Sequence, residues 1–309
     1  MRFNPRARLD SSQVQVRRGG GGGGRGLPIP IPSSTGGRGG LGGVVLLILI
    51  FVIVQAVNGG GGGAGGAGGA APDDSQVQGL DCTSGADANK TEQCALVADV
   101  NNIQAFWAGE LPQQADVAYS KSLAVFFSRS TQTGCGGATA QVGPFYCPTD
   151  KTVYLDTTFF KDMLQGDLGA KGGPFSEAYV LAHEYGHHVQ DLLGTMGKVR
   201  TQKGPQSDTV RLELQADCYA GMWSKYATTV EDANGEVYIL DLTQDDIARA
   251  LDAAAAVGDD RIQQKSGGRV NPESWTHGSA SARMYWFKTG LSQGTLDACD
   301  TFSARDLHL

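Results

Sequence analysis

The sequence predicts an α+β protein: a mostly helical domain with a small sheet, preceded by a disordered glycine-rich tail and one transmembrane helix. Three observations support this. Of the 45 glycines, 22 lie between positions 1 and 69, a density that leaves too little apolar surface to offset the entropy of ordering the chain. Inside that segment, residues 44–57 (VVLLILIFVIVQAV) are apolar except for Gln55. Beyond it, apolar residues recur at helical intervals over long stretches, and a short run such as Thr152 to Leu155 has the β-branched and aromatic content of a strand.

Taken in order, residues 1–43 read as a disordered basic tail in which Arg2, Arg6, Arg8, Arg17, Arg18, Arg25 and Arg38 face one acid, Asp10, for a net of +6. As a helix, residues 44–57 would reach about 21 Å, the short end of what crosses a bilayer. The arginines ahead of them predict a single-pass cell-membrane protein with a cytoplasmic N-terminus and an extracytoplasmic C-terminal domain. The rival is a cleaved signal peptide, for which Val54-Gln55-Ala56 offers a small-residue cleavage pattern, but the 43 residues before the apolar run far exceed the usual charged leader. Residues 58–75 continue as a flexible linker, and residues 76–309 have the size and apolar content of one domain. Subtracting +6 from the chain's net −7 leaves −13 for everything after the tail, which argues against nucleic acid as a partner.

The domain's six cysteines are an even number in a part of the chain predicted to face an oxidising space. Cys82 and Cys94 have the same gap as Cys135 and Cys147, so these are the expected pairs, with Cys218 and Cys299 left for each other. Periodicity predicts helices over residues 95–109, 157–168, 210–226 and 242–257, the last opening on a capping-box spacing of Thr243 and Asp246. Residues 123–127 fit strand or helix, and Thr152 to Leu155 a strand.

The chemistry gathers at residues 178–194, AYVLAHEYGHHVQDLLG. A helix is predicted here, with Ser176 as N-cap and Gly194 as stop. His183 and His187 then lie one turn apart on one face, able to aim one imidazole nitrogen each at a single zinc ion, while Glu184 flanks the metal as general base. A catalytic zinc needs a third protein ligand, and Glu213 of the next helix supplies it, with Asp217 one turn on placed to hold the outward N–H of a ligating histidine. His277 or Arg283 could donate to a developing oxyanion, although His277 could instead cap the helix that follows Ser279. His188 points about 100° away from His187 and is expected in an outer layer or at the surface.

Together GPFYCPTDKTVYLD, YVLAHEYGHHVQDLLG, VRLELQADCYAG, AAAAVGDDRIQ and THGS resemble the bacterial neutral zinc metallopeptidase family, over most of residues 71–302. The resemblance implies a zincin-like fold with zinc on His183, His187 and Glu213 and with Glu184 as a catalytic residue; about one zinc per chain is expected. The function expected is a membrane-anchored zinc endopeptidase acting on peptides or unfolded proteins at neutral pH. The alternative is a non-catalytic, zinc-containing envelope protein that binds or scaffolds. Thr152 to Leu155 is expected to be an edge strand that pairs with an extended substrate.

Overall fold

The computed structural model describes residues 1–18, 77–78 and 80–309. In chain order the strands and helices begin with β1 (Arg2–Phe3), β2 (Val14–Arg18) and β3 (Val77–Gln78), then helices α1 (Gly85–Ala88) and α2 (Glu92–Ala115). Strands β4 (Leu123–Ser128), β5 (Ser130–Thr133), β6 (Gly136–Thr139), β7 (Phe145–Cys147) and β8 (Thr152–Asp156) follow, then a π-helix over Phe160–Asp167. The C-terminal half holds α3 (Pro174–Leu192), α4 (Asp208–Tyr226), β9 (Ile239–Asp241), α5 (Gln244–Ala256), α6 (Asp259–Lys265) and α7 (Ala280–Gln293). The mixed helix-and-sheet character agrees with the expected class.

The first residues overturn an expectation. Residues 1–18 are not a disordered tail: β2 lies inside the five-stranded sheet, whose order is β3-β2-β4-β8-β7. It runs parallel to β4, with Val14 opposite Ala124 and Arg18 opposite Ser128. Residues 1–9 are pinned as well: the Arg8 N–H donates to Asp232 Oδ2 at 2.7 Å, and Ala7 is fully buried. The alternating apolar residues of VQVRR find a partner strand more than a hundred residues away, which outweighs the local composition.

The membrane topology falls with it. Among the described residues no helix is long and apolar enough to cross a membrane. Residues 44–57, which carried the expected transmembrane helix, lie outside the described residues, as do 58–75. A single span there would put residues 1–18 and 80–309 on opposite sides of a bilayer, whereas β2 and β4 share one hydrogen-bonded ladder. The cell-membrane, single-pass arrangement, with its cytoplasmic N-terminus, is therefore set aside, and so is the membrane as a partner through an N-terminal helix.

The sheet's two faces are distinguished by the alternation of β4 and β8. Ala124, Phe126, Val153 and Leu155 face the helices, while Val125, Phe127 and Tyr154 form a second core with Val142 and Phe145 beneath the β5–β6 hairpin. On the helical side α3 is the central element, with fifteen of its nineteen residues buried, so it has no solvent face of consequence. It starts at Pro174, whose fixed φ suits the first helical position, after Gly173 at φ +116°. Ser176 is thus not the N-cap but a buried residue inside the first turn. Gly194, at φ +68°, does end the helix.

All three expected disulfides are formed: Cys82–Cys94, Cys135–Cys147 and Cys218–Cys299. The capping box of Thr243 and Asp246 is present at the start of α5. The helix expected over residues 157–168 is present over Phe160–Asp167 and winds as a π-helix, with the Leu168 N–H reaching back to the Met163 carbonyl. One local expectation fails. Thr152 to Leu155 is not an edge: β8 is sandwiched between β4 and β7, and β7 is the outer strand on that side.

Candidate metal centre and active site

The site begins with a close helix crossing. Gly186, one of the two unspecified positions within H-E-x-x-H, sits against Ala216 of α4, where an added Cβ would come within 3.2 Å of the Ala216 Cα and carbonyl oxygen. This small residue lets α4 lie tightly on α3. Glu213, one turn before Ala216, is thereby brought between the two histidines: its Oε2 is 3.1 Å from His183 Nε2 and its Oε1 is 3.4 Å from His187 Nε2.

The three donors lie within 4.8 Å of one another and can hold a metal ion. Zinc–ligand bonds of about 2.0–2.1 Å in a tetrahedron imply ligand–ligand separations of about 3.4 Å. The two distances to Glu213 match that edge, so the donor set fits zinc both in type and in spacing. The outer nitrogens are held from behind. His183 Nδ1 is 2.9 Å from Asp217 Oδ1, and His187 Nδ1 is 2.8 Å from Gln190 Oε1. Both Nε2 atoms are thus left facing Glu213, the arrangement that fixes the tautomer of a metal-ligating histidine.

Asp217 is itself anchored. Arg283 of α7 donates to it twice, Nε to Oδ2 at 2.8 Å and Nη2 to Oδ1 at 2.9 Å, and the Tyr179 hydroxyl donates to Oδ1 at 2.6 Å. Burial would raise the Asp217 carboxyl, but Arg283 and His183 overcome it and hold it down to about 2. For His183 the signs reverse: burial pulls its imidazolium down, and Asp217 pushes it up to about 10. The negative charge that would retain a proton there is the charge that would retain a metal cation. The Arg283 guanidinium is therefore engaged with Asp217 and Tyr179, behind His183.

Glu184 and His277 stand by the same cleft. Glu184 Oε2 is buried with no hydrogen-bond partner, and burial raises its carboxyl above the ordinary range. His277 precedes α7 without capping it; Ser279 is the N-cap, accepting from the Ala282 N–H. Asp259, which sequence reasoning did not single out, builds the His277 turn. Its Oδ2 accepts the backbone N–H groups of Thr276, His277 and Gly278 at 2.8, 2.6 and 3.0 Å, and its Oδ1 lies 3.4 Å from His277 Nδ1. Burial pulls the His277 imidazolium down, and Asp259 raises it on balance. Nδ1 is also 2.8 Å from the Thr276 hydroxyl, so Nε2 is the nitrogen left for the cleft.

His188 is fully buried rather than at the surface. Its Nε2 donates to the Ser120 carbonyl at 2.7 Å and its Nδ1 lies 3.1 Å from the Tyr146 hydroxyl, tying α3 to β7. Gln190 and Asp259 were the functional residues missed. Gln190 could have been found as the residue one turn beyond His187 on its own face, whereas Asp259 is 18 positions from His277 and has no periodic signal.

An H-E-x-x-H helix crossed by a second helix that completes a His, His, Glu donor set defines a zinc-peptidase type of centre. Residues 1–302 match the family described as "Putative neutral zinc metallopeptidase", and the chain belongs to this family. It is 54% identical over 230 residues to an uncharacterized protein of Mycobacterium tuberculosis, covering 73% of this chain and 76% of the relative. An uncharacterized protein of Mycobacterium bovis has the same identity and coverage. The Escherichia coli protein YpfJ, also uncharacterized, is 44% identical over 200 residues, covering 63% of this chain and 66% of its own. No solved structure matches the chain.

Proposed function

We propose that the protein is a zinc-dependent endopeptidase that uses Glu184 as general base and His277 as electrophilic donor. The supporting observation is the convergence of His183, His187 and Glu213 beside a carboxylate, Glu184, whose inner oxygen has no partner in the protein. A structural metal site needs its ligands held but has no use for a buried, unpaired carboxylate next to them. Bound zinc would act as a Lewis acid on a substrate carbonyl and lower the pKa of water.

The chain's residues divide the remaining work. Glu184 Oε2 takes the proton from the attacking water and passes it to the departing amine, the same group acting as base and then as acid. His277, oriented through Nδ1 by Thr276 and Asp259, donates from Nε2 to the oxygen on which negative charge develops. Asp217 and Gln190 keep the two ligand imidazoles in register. Because β8 is interior, the strand available to align an extended peptide by main-chain pairing is β7, with residues 142–144 leading from it into the cleft. Main-chain pairing favours peptides and unfolded segments, whose backbone groups are free. Folded proteins should be poor substrates.

The test uses the full chain. Wild type should carry about one zinc and cleave unfolded casein, with chelation abolishing both. His187→Ala and Glu213→Ala should lose the metal, and Glu184→Gln should keep it while cleaving about 10²–10⁴-fold more slowly. Stoichiometric zinc in both ligand variants, or wild-type cleavage by Glu184→Gln, would sink the proposal.

A further inference from the structure

Two of the metal donors, His183 and Glu213, line a cleft whose remaining walls have a single chemical character. Most of the surface that lines it is apolar. The titratable side chains lining it, His183, Glu184, Glu213, His277, Arg283 and Tyr179, belong to the donor cluster and the groups around it. The other side chains that line it are apolar, among them Val142, Phe159, Met163, Leu168, Val180 and Ile262. They come from separate pieces of chain: the loop before β7, the π-helix and its flanks, α3, and α6. Where the loop and the π-helix segment meet, the fit is close. Gly143 has φ +74°, and a Cβ on it would lie 3.3 Å from the Phe159 ring. The cleft is therefore closed on that side by packed apolar groups.

We infer that the apolar part of this cleft is a specificity pocket for a large apolar side chain, one that flanks the scissile bond, and that Met163 sets its depth. The inference rests on the peptidase reading given above. A substrate carbonyl placed at the metal donors has a neighbouring side chain within reach of the apolar walls, because His183 and Glu213 line the same cleft as those walls. A charged side chain entering it would leave water and meet no counter-charge away from the catalytic groups, whereas a leucine, methionine or phenylalanine side chain would exchange water for the apolar walls. Met163 is unbranched and half-buried on the π-helix, so its side chain can adapt to occupants of different shape.

The closing experiment reads cleavage and binding separately. Zinc-loaded full-length protein is given a peptide library varied at one position on either side of the cleaved bond. On one side, Leu, Met and Phe should exceed Asp, Lys and Gly by about 10- to 100-fold in kcat/KM. Met163→Lys, checked for unchanged zinc content and melting, should lose at least about tenfold of that preference, with Asp and Glu now accepted. Should that variant not fold, Met163→Ala should move the optimum from Leu toward Trp by enlarging the pocket. Independently, Glu184→Gln protein is titrated calorimetrically with uncleaved acetylated peptides carrying Leu or Asp at the preferred position, and the Leu peptide should bind at least about tenfold more tightly. Cleavage without apolar preference, or equal binding of the two peptides, overturns the pocket and leaves the peptidase standing. Tight, selective binding with no cleavage of any peptide overturns the peptidase and leaves the pocket.

Discussion

On one wall of the cleft, α3, α4 and α7 carry His183, Asp217, Arg283 and Tyr179 in a buried polar network in which each group has a partner within 3.3 Å. On another wall, the loop before β7 and the π-helix with its flanks present Val142, Phe159, Met163 and Leu168, with no polar side chain among them. The first wall is regular backbone and paired charge, and the second is irregular backbone and hydrocarbon. Positions that must hold a cation and move a proton need fixed geometry, which consecutive helical turns supply. A surface that only has to exclude water and accept varied shapes can be assembled from loop and π-helix. The two walls should accordingly fail in different ways.

The largest loss is expected on the polar wall. Asp217→Ala removes the partner of both His183 and Arg283, leaving a guanidinium that is 3% exposed without its counter-charge. Breaking a buried pair in this way costs about 3–5 kcal/mol, and loss of the group behind a ligating histidine weakens metal binding about 10- to 100-fold. Denaturant unfolding and a competitive zinc titration measure the two. The double variant Asp217→Leu with Arg283→Met should recover much of the stability, since no buried charge is orphaned, but not the zinc affinity. Equal zinc affinity in the wild type and the double variant would show that His183 needs no partner.

A smaller and different loss is expected from the apolar wall. Cys135–Cys147 closes a loop that contains residues 142–144, the part of that wall next to β7. With a sequence separation of 12, its removal should cost about 3 kcal/mol by the chain-entropy account. Replacing both cysteines with alanine should leave zinc content unchanged while raising KM several-fold, because the donors sit on helices that this disulfide does not touch. An unchanged KM would mean that the loop holds its shape without the staple, and the distinction between the walls would then lie in polarity alone.

The same contrast decides what could be read from the sequence. His183, His187, Glu213 and Asp217 were legible because a helix converts a spacing of four into a shared face. The disulfides were legible from a repeated gap. The apolar wall was not, because its residues come from distant segments and no period links Val142 to Met163 or Ile262. Asp259 was hidden for a similar reason: it acts through backbone N–H groups, which every residue offers. The short β2 was missed because its VQVRR pattern sits among arginines and glycines, and its pairing with β4 is decided by tertiary packing. The strand Thr152 to Leu155 was recognised but placed at the wrong depth, since nothing in a single strand announces that β7 covers its outer side.

The far end of α3 offers the counter-case to its paired charges, with the smallest expected effect. Glu177, in the first turn, faces Glu92 of α2 across a cavity that also borders Lys90 and Met1. Burial, and after it the charge of Glu92, pushes the Glu177 carboxyl up to about 8. Asp99, two turns along α2 from Glu92, is 1% exposed with Oδ1 unpartnered, and burial followed by Glu177 raises it well above the carboxylate range. A carboxyl whose folded pKa lies above its unfolded value near 4.5 binds its proton more tightly in the native state. The stability this confers is complete below the unfolded pKa and is lost as the pH rises through about 8. Since part of Glu177 is in water, the loss between pH 5 and pH 9 should be about 1–2 kcal/mol rather than the full linkage value. Glu177→Gln keeps the shape and removes the proton, so its urea midpoint should vary less with pH across this window and exceed the wild-type midpoint at pH 9. A wild-type midpoint that rises from pH 5 to pH 9, or a Gln variant with the same pH slope, would show that this end of α3 carries its charge at no cost.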